Sequence, residues 1–421
     1  MHENSLEYAK GKDQMDPISP FKEQFYNPKD TDGKECIYLC GNSLGLQPKA
    51  VSSEINSVLS QWQNKAVEGH FEGEENWIGY NDKIKPSLGK VVGASTSEVA
   101  IANTLTVNLH LLMMSFYQPT QKRFKIIIEK DAFPSDKYAV SSQIQMHGFS
   151  VDDALIEVSS GSNNHLLIID DFVNVLEEHG EETALVLVGG INYFTGQILP
   201  FEKLHEHCSK AGCYLGVDLA HAVGNIPLHL NAANIDFAVW CHYKYLNAGP
   251  GAIGGFFIHE KHHQNKLPRL EGWWGNHLEN RFKMEDKFKP ATGAEAWVMS
   301  TPPTLAIAPL KASLAIFDEI GMDQLRKKSI DLTDYLHFLL KEIESHEISV
   351  ITPDDPKQRG CQLSVAIRNA DKSIYHFLIE KNVMLDWREP NVIRVSPTPL
   401  YNSYEDVWKF VQILKKGLTM M

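Results

Sequence analysis

What this chain has little of already narrows its class. Its 421 residues contain six cysteines, Cys36, Cys40, Cys208, Cys213, Cys241 and Cys361, with no C-x-x-C pair. Neither a disulfide framework nor a structural zinc site is therefore expected. Cys213 and Cys241 lie in apolar runs, where a thiol serves as a small hydrophobe. Long apolar stretches are also missing: runs such as residues 111–114 are far too short to span a bilayer. The opening MHENSLEYAKGKDQMDPISPF is polar and charged throughout, without the apolar core of a secretory signal. A soluble cytoplasmic protein is the expectation. Positive charge is in deficit, with 40 Lys and Arg against 53 Asp and Glu and a net charge of −13. No basic block interrupts that acidity, which argues against a nucleic-acid partner. Internal repeats and low-complexity segments are absent, and DDPKQRG reads as a turn-rich connection.

What is present is enough apolar residue, 43% of the chain, to bury a large core in about two or three structural units. Short, unalternated apolar runs at residues 124–128, 185–189, 214–217 and 237–241, with a further strand at 253–258, alternate with helical stretches such as 201–211. This pattern predicts a doubly wound α/β unit around a mainly parallel sheet. From about Thr304 the texture changes to a long helical stretch running toward His346 and broken near Gly321. Short strands and helices follow, ending in YEDVWKFVQILKK, where Val407, Phe410, Val411 and Leu414 form one apolar stripe. The division expected is an N-terminal segment over 1–48, a large unit over 49–303 and a smaller C-terminal α+β unit over 304–421.

The chemical signal is an acid at one strand end, Asp218 in CYLGVDLAH, and a lysine just after a later one, Lys244 in FAVWCHYKYLNAGPG. Functional side chains in open α/β sheets sit beyond the carboxyl ends of the strands. An Asp–Lys pair of this kind suits pyridoxal phosphate (PLP). The lysine holds the cofactor as an imine and later moves protons, while the carboxylate keeps the pyridine nitrogen protonated. Spacing alone carries little weight. The surroundings of Lys244 carry more: Tyr243 and Tyr245 flank it, and partial desolvation beside such rings is expected to lower a lysine pKa.

The strings CHYKYLNAGPG, VDLAHAVGN, LTVNLHLLM, AFPSDKYA, CGNSLGLQPK and RVSPTPLYNS together resemble the kynureninase family, within the class V aminotransferase group of fold-type I PLP enzymes. The resemblance runs from about Tyr38 to Tyr404. It implies PLP bound covalently to Lys244 and hydrolysis of L-kynurenine or L-3-hydroxykynurenine to L-alanine and anthranilate or its 3-hydroxy form, in tryptophan breakdown or nicotinamide-cofactor synthesis. It further implies cofactor contacts from Leu105, Thr106, Phe133, Pro134, Ser135, Asp136, Asp218, His221, Tyr243 and Lys244. Phe133 would stack on the pyridine ring, and Tyr243 would reach the phosphate and relay a proton. Trp273 and Thr301 resemble positions through which a neighbouring subunit closes the phosphate site, implying a homodimer. Arg394 would take the substrate α-carboxylate through its guanidinium fork. His70, Asn42 and Ser43 would surround the aryl ketone. Two departures stand out: Gly189 replaces a serine common in the family, and Thr301 stands where some relatives carry asparagine.

Other readings are weighed against this one. Gly249, Gly251 and Gly254 spell G-x-G-x-x-G but precede a strand instead of opening a helix, so dinucleotide binding is not expected. His259, Glu260 and His263 spell H-E-x-x-H, yet they follow a strand into a polar segment, and no metal site is expected. A cysteine desulfurase of the same PLP group is the nearer rival, with Cys361 the residue to watch. A PLP-fold binding protein without turnover is a third reading.

Overall fold

The computed structural model describes residues 2–161, 165–343 and 347–420. Apolar runs without polar alternation become strands covered on both faces. Seven strands form the central sheet: β1 (Val99–Ile101), β2 (Lys125–Glu129), β3 (Leu155–Val158), β4 (Thr183–Gly189), β5 (Tyr214–Asp218), β6 (Phe237–Cys241) and β7 (Gly254–Ile258). Their order is β1-β7-β6-β5-β4-β2-β3. Neighbours from β6 through β3 pair in parallel, and β7 runs antiparallel to both β6 and β1. Alternate side chains feed opposite cores: Ile127, Ala238 and Trp240 pack on one face, and Ile126, Ile128, Phe237 and Val239 on the other. The expected doubly wound α/β fold is present, with each expected strand found within two residues of its bounds. The edge strands β1 and β3 were not foreseen, being only three and four residues long.

A second sheet has the antiparallel order β8-β9-β11-β10, from β8 (Ile348–Val350), β9 (Leu363–Ile367), β10 (Asp386–Arg388) and β11 (Val392–Val395). Its core includes Leu332, Leu336, Val365 and Ile393, together with Val407, Phe410, Val411 and Leu414. Those last four form the stripe read from the C-terminal helix Tyr404–Leu418. Ser403 caps that helix: its Oγ accepts from Asp406 N at 3.0 Å, and Asp406 Oδ2 accepts from Ser403 N. Gly321, at φ +80°, separates the helices Thr304–Ile320 and Met322–Lys341. His346, toward which the sequence reading extends this helical stretch, lies outside the described residues. Helix Thr304–Ile320 packs on helices Val51–Lys65 and Tyr80–Val92 of the large unit.

The N-terminal residues are woven into the second unit. Helix Leu6–Met15 packs on Tyr404–Leu418, Ile37–Tyr38 pairs in parallel with Val383–Met384, and Asp16 meets Lys328 at 2.7 Å with both side chains buried. Among the described residues, no helix is long and apolar enough to cross a membrane.

Candidate active site

The parallel strands deliver their last residues to one cavity of about 250 Å³, at the carboxyl edge where such sheets place their chemistry. Glu129 comes from the end of β2, Gly189 from β4, Asp218 from β5, and Lys244 lies three residues past β6. The turn carrying Lys244 is tightly held. Asn247 N donates to Lys244 O at 3.0 Å, Ala248 N donates to His242 O at 3.0 Å, and Gly45 N donates to Tyr243 O at 2.8 Å. A Cβ on Gly45 would come within 2.3 Å of Lys244 O, so only glycine lets the N-terminal segment lie against this turn.

Lys244 Nζ stands 2.9 Å from His221 Nε2. Burial, followed by the charge of Lys244, pushes the His221 pKa well below its ordinary value, which favours the neutral ring. Its Nδ1 is buried with no partner. Asp218 is buried, and its Oδ1 accepts from Ala220 N at 2.7 Å. Burial raises its pKa, while the Ala220 amide and Lys244 oppose that rise. Asp136 is pushed well above the carboxylate range, first by burial and then by the charge of Asp218. Glu129 is raised to about 7 by burial, against the hydrogen bond its Oε1 accepts from Gly189 N at 3.0 Å. Tyr243 is raised by burial and then by Cys241.

Two helices open onto the opposite wall. Helix Leu105–Phe116 begins with Leu105 and Thr106, and helix Pro134–Met146 begins with Pro134, Ser135 and Asp136. Neither has a side-chain cap, which leaves first-turn N–H groups for an anion. Thr106 Oγ1 and Ser135 Oγ lie 3.0 Å apart. A phosphate at these helix ends, a buried carboxylate at Asp218, the unpartnered His221 Nδ1 and an amine at Lys244 together form a donor set that fits PLP.

Of the residues singled out from the sequence, Asn42, Ser43, Leu105, Thr106, Phe133, Ser135, Asp136, Asp218, His221, Tyr243, Lys244 and Arg394 line the cavity. Pro134 stands beside it without lining it. His70, Trp273 and Thr301 are not brought there within one chain. His70 packs edge-on to Trp77 at 4.9 Å. Trp273 is 43% exposed, with its Nε1 donating to Arg281 O at 2.8 Å, and Thr301 is exposed. The sequence reading missed Glu129, Ile191, Asn192, Tyr193, Ala220 and Arg388. Glu129 carried a usable signal, since it ends the apolar run KIIIE much as Asp218 ends YLGVD.

Arg394 departs from the expectation of a free fork. Its Nε donates to Asp386 Oδ1 at 2.7 Å, Nη2 contacts Asp386 Oδ2 and Ser43 Oγ, and Nη1 donates to Tyr193 O at 2.8 Å. The cross-strand pairing of Asp386 with Arg394 accounts for this. Asn42 keeps a buried Oδ1 with no partner.

Gly249 and Gly251 have positive φ in the turn before β7, and no helix follows them. His259 Nε2 lies 3.1 Å from Asn231 O and His263 Nε2 lies 3.1 Å from Ile258 O. No metal-binding group occurs among the described residues. Cys361 is fully buried beside Ser396 Oγ at 3.4 Å.

Comparison with known proteins bears on the family and the fold. The family model for the Kynureninase C-terminal domain matches residues 325–414. Kynureninase of Flavobacterium johnsoniae is 49% identical over 420 residues, covering 99% of each chain. That of Myxococcus xanthus is 44% identical over 416 residues, covering 99% of this chain and 98% of its own. Among solved structures, the apo cysteine desulfurase of Thermococcus onnurineus NA1 superposes with a TM-score of 0.74 at 18% identity, covering 92% of this chain and 95% of its own. The Escherichia coli cysteine desulfurase CsdA gives 0.77 at 16% identity, covering 96% and 99%. At such identities these two establish the fold alone.

Proposed function

Because this chain belongs to the kynureninase family, and is a PLP enzyme that hydrolyses the Cβ–Cγ bond of kynurenine, we propose how its own residues divide that work. Lys244 carries the cofactor and moves the proton at the substrate Cα, its amine lying beside the neutral His221. Asp218 keeps the pyridine nitrogen protonated, with Asp136 behind it. Thr106 and Ser135, at two uncapped helix ends, hold the phosphate with Leu105 and Pro134 beside them. Phe133 covers the ring. When bound, the cofactor supplies an electron sink for negative charge developing at Cα and Cβ. Tyr243 serves the proton relay at the substrate ketone, and Arg394, its fork largely held by Asp386, lends positive charge toward the α-carboxylate. The unpartnered Asn42 Oδ1 and Ser43 face the rest of the substrate.

A homodimer belongs to the same reading. Exposed Phe282 touches both exposed Phe71 and exposed Trp273, with ring centroids 5.8 and 5.4 Å apart. A surface patch of this kind, beside His70, suits a second copy whose cavity Trp273, Thr301 and His70 would complete. We read the chain as segment 1–48, large unit 49–303 and small unit 304–421, with helix Thr304–Ile320 as a link seated on the large unit. Cytoplasmic placement is part of the proposal.

The observation that carries it is the Lys244, His221 and Asp218 cluster facing the Thr106 and Ser135 helix ends across one cavity. The test is incubation of PLP-loaded protein with kynurenine and with 3-hydroxykynurenine, following aryl-amine release. Release of anthranilate or its 3-hydroxy form is expected. Sulfide release from cysteine without aryl-amine release would replace this reading with that of a desulfurase.

A further inference from the structure

Resting on the proposed function, we propose that Arg388 is a second substrate-carboxylate residue, which presents the guanidinium edge that Arg394 has already given to Asp386. Asp386 and Arg394 are cross-strand partners, and Arg388 follows Asp386 by two residues on the same strand, so all three share one face. Arg394 is almost wholly buried, and its Nε–Nη2 edge lies on Asp386, its Nη2 also on Ser43, its Nη1 on the Tyr193 carbonyl. A guanidinium has five N–H groups, and little of this one is left to grip a carboxylate in two places.

Arg388 is the opposite case. Among the described residues, its only hydrogen bond is from Nη2 to Asp386 Oδ2 at 3.3 Å. Its Nε is buried with no partner, although the side chain reaches the cavity. A buried, unpaired N–H on a charged group is costly. The Arg388 side chain is nonetheless 39% exposed, and it is this open part, at the cavity wall, that a ligand carboxylate can reach.

Charge points the same way. Two guanidinium groups share one carboxylate at this wall, which leaves a surplus of one positive charge. Burial, and then the charge of Arg394, lowers the pKa of Arg388, as expected of a cation without enough anion nearby. One substrate carboxylate balances the group. Asp386 then acts as a positioning residue that spaces the two arginines, and Arg388 supplies the planar two-pronged contact.

The experiment uses the PLP-loaded full chain and compares L-kynurenine with its α-methyl ester, which lacks the carboxylate charge. In Arg388→Gln the KM for kynurenine should rise by about 10- to 100-fold, the span of one or two charge-assisted hydrogen bonds, with kcat changed far less. Preference for acid over ester should fall by the same factor, and Arg388→Lys should restore part of it. A parallel titration with L-alanine, followed by the visible absorbance of the cofactor, should show the same weakening of equilibrium binding. Unchanged KM, unchanged acid-to-ester preference and unchanged alanine affinity would overturn the assignment. So would a loss of thermal stability with the preference intact, which marks a structural role. If Arg388→Gln does not fold, Arg388→Lys decides, since it keeps the charge and loses the fork. Failure of the unaltered protein to release any aryl amine would sink the proposed function instead, and the alanine titration would still judge Arg388.

Discussion

Glu129 offers the sharpest quantitative test of the site's electrostatics. It ends β2 and is only 3% exposed. One carboxylate oxygen accepts from Gly189 N, and the other is buried without a partner. Burial, with Asp218 and Asp131 adding to it, lifts its pKa from 4.5 to about 7. The folded chain therefore keeps a proton on Glu129 between those two values that the unfolded chain has released. Stability from this group is whole below about pH 4.5 and falls as pH rises to 7, where the folded carboxyl ionises. The full penalty above pH 7 is about 3 kcal/mol. In Glu129→Gln the amide oxygen can still accept from Gly189, and nothing titrates. Urea denaturation of the cofactor-free protein should therefore show the variant gaining on the unaltered protein by about 2–3 kcal/mol between pH 5 and pH 8. The constant offset between them depends on whether the new amide N–H finds an acceptor, so the pH-dependent part is the quantity to read. A stability difference that is flat from pH 5 to pH 8 would refute the burial argument.

Three further perturbations follow from named contacts. Lys244→Ala should lose both the imine absorbance of the bound cofactor and turnover, and normal turnover in a rate assay would remove Lys244 from its role. Gly189→Ser places a Cβ 3.0 Å from Glu129 Oε1. The contact is with the tip of a side chain, which need give only a few tenths of an ångström, so the cofactor-free protein should change by no more than about 1 kcal/mol, and a larger drop in the urea midpoint would contradict it. Lys328→Met leaves Asp16 buried without its partner at 2.7 Å. A loss of about 3–5 kcal/mol is expected, with faster proteolysis of the N-terminal helix, and Asp16→Leu in the same chain should recover much of it.

The fold was legible where physics is local. A strand buried on both faces needs an uninterrupted apolar run, and β2, β4, β5 and β6 have one. The C-terminal helix shows its stripe because its apolar residues recur at the spacing of one helix face. Legibility failed at the edges of the sheet. Val99–Ile101 is three residues long, and Leu155–Val158 is only partly buried, so neither offers a period long enough to read. The linking helix Thr304–Ile320 shows another limit: it reads as one helical stretch with the helix after it, and only packing assigns it to the large unit.

At the site, Asp218 and Lys244 were legible from their strand ends, whereas Thr106 and Ser135 were reached only through the family resemblance. A guanidinium's availability is a different kind of property, because it depends on which acceptors the fold brings against it. Arg394 stands on a central strand of the small sheet, next to both β9 and β10, and so looks like the natural carboxylate receptor. Its cross-strand partner is an acid, and the pairing consumes the edge that a substrate would use. Arg388 in DWREP looks like an ordinary charge on an edge strand, where solvated charges are the rule. Edge position is also what leaves its N–H groups unclaimed. The residue better suited to receive a carboxylate is thus the one whose sequence context advertises it less, and the acid-to-ester preference of Arg388→Gln measures that inversion directly.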